Sequence, residues 1–122
     1  TLLDSKNPES FYTFGVVCYE KAAKNPPQDI TERLSIIGRG KQALAQAIAM
    51  NKDYFEAIVY MNLLYREEAK IETDPTKQQD LIAQADVYRN RAMEINRQRK
   101  AEADKAAAKP APPAGGAPAE AK

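Results

Sequence analysis

The sequence contains no histidine, no tryptophan and a single cysteine, Cys18. Histidine is the commonest general base and metal ligand, so its absence excludes Ser-His and Cys-His catalytic arrangements. One cysteine forms neither an internal disulfide nor a cysteine zinc cluster. No glycine-rich phosphate loop is present, and no apolar run is long enough to span a bilayer. We therefore expect that the protein is not an enzyme and uses no cofactor. We expect no catalytic, cofactor-binding or metal-binding residues and no transmembrane segment.

The charged residues are nearly balanced, with 18 Lys and Arg against 17 Asp and Glu and a formal net charge of +1. This balance gives no general reason to expect nucleic acid as a partner. The basic residues between Arg89 and Lys100 lie near Glu94, Glu102 and Asp104, which indicates a solvated helix face. We expect a protein or peptide partner and no nucleic acid.

Composition divides the chain into a body and a tail. All six tyrosines and three phenylalanines lie between Phe11 and Tyr88, and no large apolar residue follows Ile95. We therefore predict a packed body over 1–96 and a polar helical extension over 97–109. The Pro/Ala/Gly-rich residues 110–122 form a tail that cannot bury enough surface to fold alone.

The pattern within the body predicts an all-α fold of four helices. Apolar residues recur at helical spacing, and no segment alternates as a strand would. Helix boundaries are indicated by caps and prolines: Asn7-Pro8, Asn25-Pro26-Pro27, Asp29 with Glu32, Asp53 with Glu56, and Asp74-Pro75. Gly38 and Gly40 lie inside the second helix, where they either weaken it or let a neighbouring helix approach closely.

The helices match one another in pairs. Residues 46–51 (QAIAMN) resemble residues 91–96 (RAMEIN), and Phe11, Phe14 and Cys18 match Ile58, Met61 and Tyr65, about 46 residues further on. The body therefore reads as two helix hairpins, 7–51 and 53–96. Residues 1–6 resemble the segment that precedes the third helix, so they are interpreted as a remnant of a preceding repeat, with an ordinary frayed terminus as the alternative.

Residues 11–21 (FYTFGVVCYEK) resemble the first helix of the tetratricopeptide repeat (TPR), with Phe14-Gly15 at its central pair. The other matching positions are Leu44, Ala47, Ile58, Met61, Tyr65, Ala85 and Ala92. The departures are a period near 46 residues instead of about 34, Lys52 in place of a proline, Asn62 in place of a small residue and Arg89 at an apolar site. The resemblance implies a divergent bacterial-type TPR protein with lengthened antiparallel hairpins, an α-solenoid ending in a long helix and tail.

The resemblance also implies a concave groove, lined by one face of each first helix, that binds an extended or helical peptide or a partner subunit. The residues expected there are Tyr12, Val16, Tyr19, Glu20, Val59, Leu63, Arg66 and Glu67. Val59 and Leu63 could equally be core residues, because both roles need the same helical spacing. Cys18 lies on the apolar face and is expected to pack as a small hydrophobe.

Two functions follow as expectations. The first is a non-catalytic scaffold of TPR type for protein–protein interaction. The alternative is a structural subunit that self-assembles head to tail into a filament or other oligomer, because the first helix is apolar on nearly every face. The tail would reach roughly 40 Å in polyproline II conformation, far enough to lie on a neighbour, or else it has no fixed partner. Because residue 1 is Thr, an exported protein, periplasmic or extracellular, is favoured over a cytoplasmic one.

Overall fold

A computed structural model describes residues 7–108 of the chain. In this part the chain forms four helices and no strand, which confirms the predicted all-α class. The helices are α1 (Pro8–Ala23), α2 (Ile30–Met50), α3 (Phe55–Ile71) and α4 (Pro75–Ala108). The expected repeat remnant at 1–6 and the expected tail at 110–122 lie outside the described residues.

Three of the four predicted helix starts are confirmed by their capping hydrogen bonds. The side chain of Asn7 accepts a hydrogen bond from the Glu9 amide at 2.8 Å. Asp29 and Asp74 accept from the amides of Thr31 and Thr76, each at 3.0 Å. These side chains satisfy amides that have no partner within the first turn of a helix.

The predicted start of α3 at Asp53 is wrong. The N-cap of α3 is Tyr54, which makes no side-chain capping bond. The cause is the preceding turn, in which the Asn51 side chain accepts from the Asp53 amide at 3.3 Å and the Asn51 carbonyl accepts from the Tyr54 amide at 3.1 Å. This turn places Asp53 outside the helix and brings the Tyr54 ring to its start.

Each helix packs against its neighbour along the chain, and α3 makes the most varied contacts. α1 packs on α2, and α3 packs on α1, α2 and α4, whereas α4 contacts α3 alone among the described elements. The core lies mainly where α1, α2 and α3 meet, and its largest fully buried side chains are Ile37, Leu44, Ile58 and Leu64. A second cluster of Ile58, Ala92 and Ile95 joins α3 to α4. Cys18 is buried, as predicted for a small hydrophobe.

The central helices approach each other at two glycines that have no room for a side chain. A Cβ atom at Gly15 of α1 would lie 2.5 Å from Cγ of Leu44 on α2. A Cβ atom at Gly40 of α2 would lie 2.8 Å from Cβ of Cys18 and 2.9 Å from Cδ1 of Leu64 on α3. Nothing lies within 4 Å of the corresponding position at Gly38. Gly15 and Gly40 therefore set the spacing of α1, α2 and α3.

We expect Gly15→Ala and Gly40→Ala each to lower the free energy of unfolding by about 1–3 kcal/mol, as measured by urea denaturation. The added methyl group overlaps buried atoms, and this cost outweighs the gain of about 1 kcal/mol that alanine gives a helix interior.

Gly38→Ala is the matched control on the same helix. Because its Cβ would meet open space, this change should raise the free energy of unfolding by about 0.5–1 kcal/mol. Equal shifts in all three variants would contradict the role assigned to Gly15 and Gly40.

Candidate partner-binding surface

Four half-buried tyrosines meet where α1 lies beside α3. Tyr12 and Tyr19 belong to α1, Tyr60 belongs to α3, and Tyr54 is the N-cap of α3. The Tyr12 ring centroid lies 5.3 Å from that of Tyr54 and 5.8 Å from that of Tyr60, and Tyr19 lies 5.4 Å from Tyr60. The two contacts of Tyr60 are edge-to-face, a favourable geometry for aromatic pairs. We call these four residues the tyrosine surface.

The polar ends of these four tyrosines form no hydrogen bond to a protein group in the described part of the chain. Burial raises the pKa of Tyr12, and neighbouring Tyr60 and Glu56 raise it further. Burial also raises the pKa of Tyr54, with additional contributions from Glu9, Tyr12 and Glu56. The Tyr12 and Tyr54 hydroxyls therefore stay neutral donors and acceptors at ordinary pH, and the described charged groups that act on them, Glu9 and Glu56, are negative.

The residues expected in the groove on α1 lie at or near this surface. Tyr12 and Tyr19 are part of it, and Val16 between them is half-buried. Glu20 is exposed, and its carboxylate lies 3.3 Å from the Lys24 ammonium group. The α1 half of the expected set thus forms one face with an exposed charged end.

The expected residues on α3 are divided between different environments. Leu63 is half-buried, and Val59 packs against the cluster that joins α3 to α4. Arg66 donates to Asn62 at 2.8 Å and to Asp86 of α4 at 2.7 Å. Val59 and Arg66 are therefore engaged with α4, while the α3 residue that contacts the α1 tyrosines is Tyr60.

Glu67, the remaining expected groove residue, is buried and paired. Only 5% of its surface is exposed, and its carboxylate accepts from Arg33 of α2 at 3.3 Å and from Lys70 at 2.7 Å. Arg33 also donates to the carbonyl of Ala22 near the end of α1, at 3.1 Å. Glu67 thus links α3 to α2 and, through Arg33, to α1. We do not count it among the residues that a partner can reach.

Two residues of this region were not singled out by sequence reasoning. Tyr54 was missed because the predicted helix start lay one residue earlier, although its position next to a capping pattern was a usable signal. Arg33 was missed because an ion pair between two helices has no fixed spacing in the sequence, unlike pairs three or four residues apart on one helix.

A second surface runs along α1 and α2. It contains a cavity of about 530 Å³ whose lining includes Phe11, Phe14 and Ala43, and one of about 420 Å³ whose lining includes Phe14, Val17 and Ile36. Both cavities also touch Arg39. Val17 is 43% exposed. We call this the α1–α2 face.

Other classes of site are not seen in the described part of the chain. Residues 7–108 contain no group of three or more Cys, Asp or Glu side chains arranged to hold a metal ion. None of the helices in this range combines the length and the apolar character needed to cross a bilayer.

Comparison with protein-family models, with curated proteins and with solved structures finds no match for this chain. The resemblance to the tetratricopeptide repeat therefore stays an expectation from the residues.

We expect Glu67→Ala to lower the free energy of unfolding by about 2–4 kcal/mol in chemical denaturation. Removing one partner of a buried ion pair leaves the other charge uncompensated, and this costs about 3–5 kcal/mol when both are fully buried. The cost is smaller here because the Arg33 side chain is 18% exposed.

Glu20→Ala is the control for this change. The Glu20–Lys24 pair is solvated, with the side chains 47% and 66% exposed, so its loss should change stability by less than about 0.5 kcal/mol. If Glu67→Ala were as stable as Glu20→Ala, the Glu67 carboxylate would be solvated like that of Glu20 and would be accessible to a partner.

Proposed function

We propose that this protein is a non-catalytic interaction protein that binds an extended or helical segment of a partner through the tyrosine surface. The observation that carries the proposal is the arrangement of Tyr12, Tyr54 and Tyr60, whose rings contact one another while their hydroxyl groups form no hydrogen bond to a protein group within residues 7–108. Tyrosine is enriched at the centres of interfaces because it offers a large apolar ring and a polar tip at low entropy cost.

The packing of the helices supports an α-solenoid of two lengthened TPR-type hairpins as the proposed architecture. In such an array each unit contacts only its neighbours, and the first helix of one unit lies against both helices of the unit before it. The contacts of α3 with both α1 and α2, and of α4 with α3 alone, fit this scheme. The tyrosine surface would then lie between the two first helices, α1 and α3.

Rigidity of the surface also supports binding. Gly15 and Gly40 allow buried, close-packed contacts between α1, α2 and α3, so the tyrosines are carried on helices whose spacing is constrained. A preformed surface binds with little ordering cost, and more of the contact energy then remains as affinity.

We expect Tyr60→Ala to reduce binding of peptides at least about tenfold, because this ring contacts both Tyr12 and Tyr19. The probe is an immobilised array of random peptides about 12 residues long, read with the fluorescently labelled full chain. Tyr60→Phe retains the ring contacts and removes only the hydroxyl group, so it should bind more strongly than Tyr60→Ala.

The control is Val87→Ala, which removes an apolar side chain that is 61% exposed on α4. It should leave peptide binding unchanged, and circular dichroism should show equal helicity for all variants. If Tyr60→Ala bound the same peptides as strongly as the unmodified chain, the tyrosines would be packing residues alone and the proposed function would fail.

A specific observation favours a second function, a structural subunit that self-assembles head to tail. The α1–α2 face presents Phe11, Phe14 and Val17 around its two cavities, and no other described element covers it. The surface of α4, by contrast, carries ion pairs, because Asp86 pairs with Arg66 of α3 and with Arg89. The occupant we propose for the α1–α2 face is a second copy of this chain.

For this function we expect light scattering of the full chain at low micromolar concentration to show large particles that Phe14→Asp breaks down. A charge placed between the two cavities would be desolvated in the interface. Val87→Asp on α4 is the matched control and should leave the particles intact. A monomer at all concentrations, unchanged by Phe14→Asp, would exclude assembly through this face.

A further inference from the structure

Two carboxylates stand beside the tyrosine surface. Glu9 lies in the first turn of α1 and Glu56 in the first turn of α3, and both side chains are exposed. Within residues 7–108, neither carboxylate forms an ion pair. An acid in the first turn is stabilised by the partial positive charge at the helix N-terminus. This partial charge is smaller than the full negative charge of the carboxylate and does not cancel it.

Among residues 7–108, the charged groups that act on these two tyrosines are acidic. Glu56 acts on both Tyr12 and Tyr54, and Glu9 acts on Tyr54, whereas no Lys or Arg of this range contributes at either ring. The thiol of Cys18 has the opposite surroundings, because the charges that act on it are Arg39 and Lys21. An acidic peptide would therefore be repelled from the Tyr12–Tyr54 pair, and a basic one would be attracted.

The same protein shows how a tyrosine and a carboxylate together hold a cation. The Lys41 ammonium group lies 4.3 Å from the centroid of the Tyr65 ring and 2.5 Å from a carboxylate oxygen of Glu68. The ring face attracts the cation through its quadrupole, and the carboxylate supplies the full opposite charge. Tyr12 and Tyr54, with Glu9 and Glu56 nearby, offer both components, and no Lys or Arg within residues 7–108 lies over either ring.

We infer that the partner segment is basic and places a lysine or arginine side chain against Tyr12 and Tyr54, where Glu9 and Glu56 supply the opposing charge. The inference rests on the proposed function and names the chemistry of its ligand. The half-exposed rings contribute apolar area to the stem of the basic side chain, and their hydroxyls can accept from its N–H groups.

The test uses the full chain and the same array of random peptides, with the bound peptides sorted by net charge. We expect the peptides whose binding depends on Tyr60 to be enriched in Lys and Arg over the array as a whole. Binding of selected peptides should weaken as salt is raised from about 0.05 M to about 0.5 M, because exposed charges are screened.

The decisive variant is Glu9→Lys/Glu56→Lys, which should reduce the affinity for the selected basic peptides by about tenfold or more at low salt. The matched control is Glu102→Lys/Asp104→Lys, which makes the same change in net charge on the exposed end of α4. It should reduce the affinity by less than about twofold.

The outcomes separate the inference from the function on which it rests. The basic partner would be overturned if the peptides whose binding depends on Tyr60 were neutral or acidic. It would also be overturned if the two charge-reversal variants had equal effects. Either result would leave the tyrosine surface as the binding site. Binding by no peptide, or binding that ignores Tyr60, would overturn both.

Discussion

The close contact of three helices at Gly15 and Gly40 fixes the positions of α1, α2 and α3 relative to one another. Each glycine lies where a Cβ atom would overlap a buried side chain of the neighbouring helix. Protein interiors are packed as densely as organic crystals, so such overlaps are relieved only by moving a helix. Because α1 is held on α2 and α2 on α3, the tyrosines of α1 and α3 meet at a fixed distance.

The charged groups around this packing have different roles according to their burial. Glu67 is enclosed with Arg33 and serves the contact between helices, where an unpaired charge would be costly. Glu9 and Glu56 are exposed and form no ion pair within residues 7–108, so their charge is directed at solvent or at a partner. Acids that are indistinguishable in the sequence thus divide into a buried, paired class and an exposed class once burial is known.

Much of the fold was predictable because it is encoded locally. The Asn7, Asp29 and Asp74 caps act over two residues, and helical spacing of apolar residues is read within one segment. The site was less predictable. Helical spacing could place Tyr12, Val16 and Tyr19 on one side of α1, but the position of Tyr54 depended on a turn at Asn51, and the burial of Glu67 depended on a partner in another helix. Such contacts have no fixed spacing, so no pattern along the chain reveals them.

A double-mutant cycle between Gly15 and Leu44 measures whether their contact sets the distance between α1 and α2. The free energy of unfolding is measured for Gly15→Ala, Leu44→Ala and the double variant. Leu44→Ala removes the atoms with which the new methyl group collides, so the double variant should be more stable than the sum of the single losses predicts, by about 1 kcal/mol or more. Losses that simply add would show that Gly15 does not set the distance between the helices.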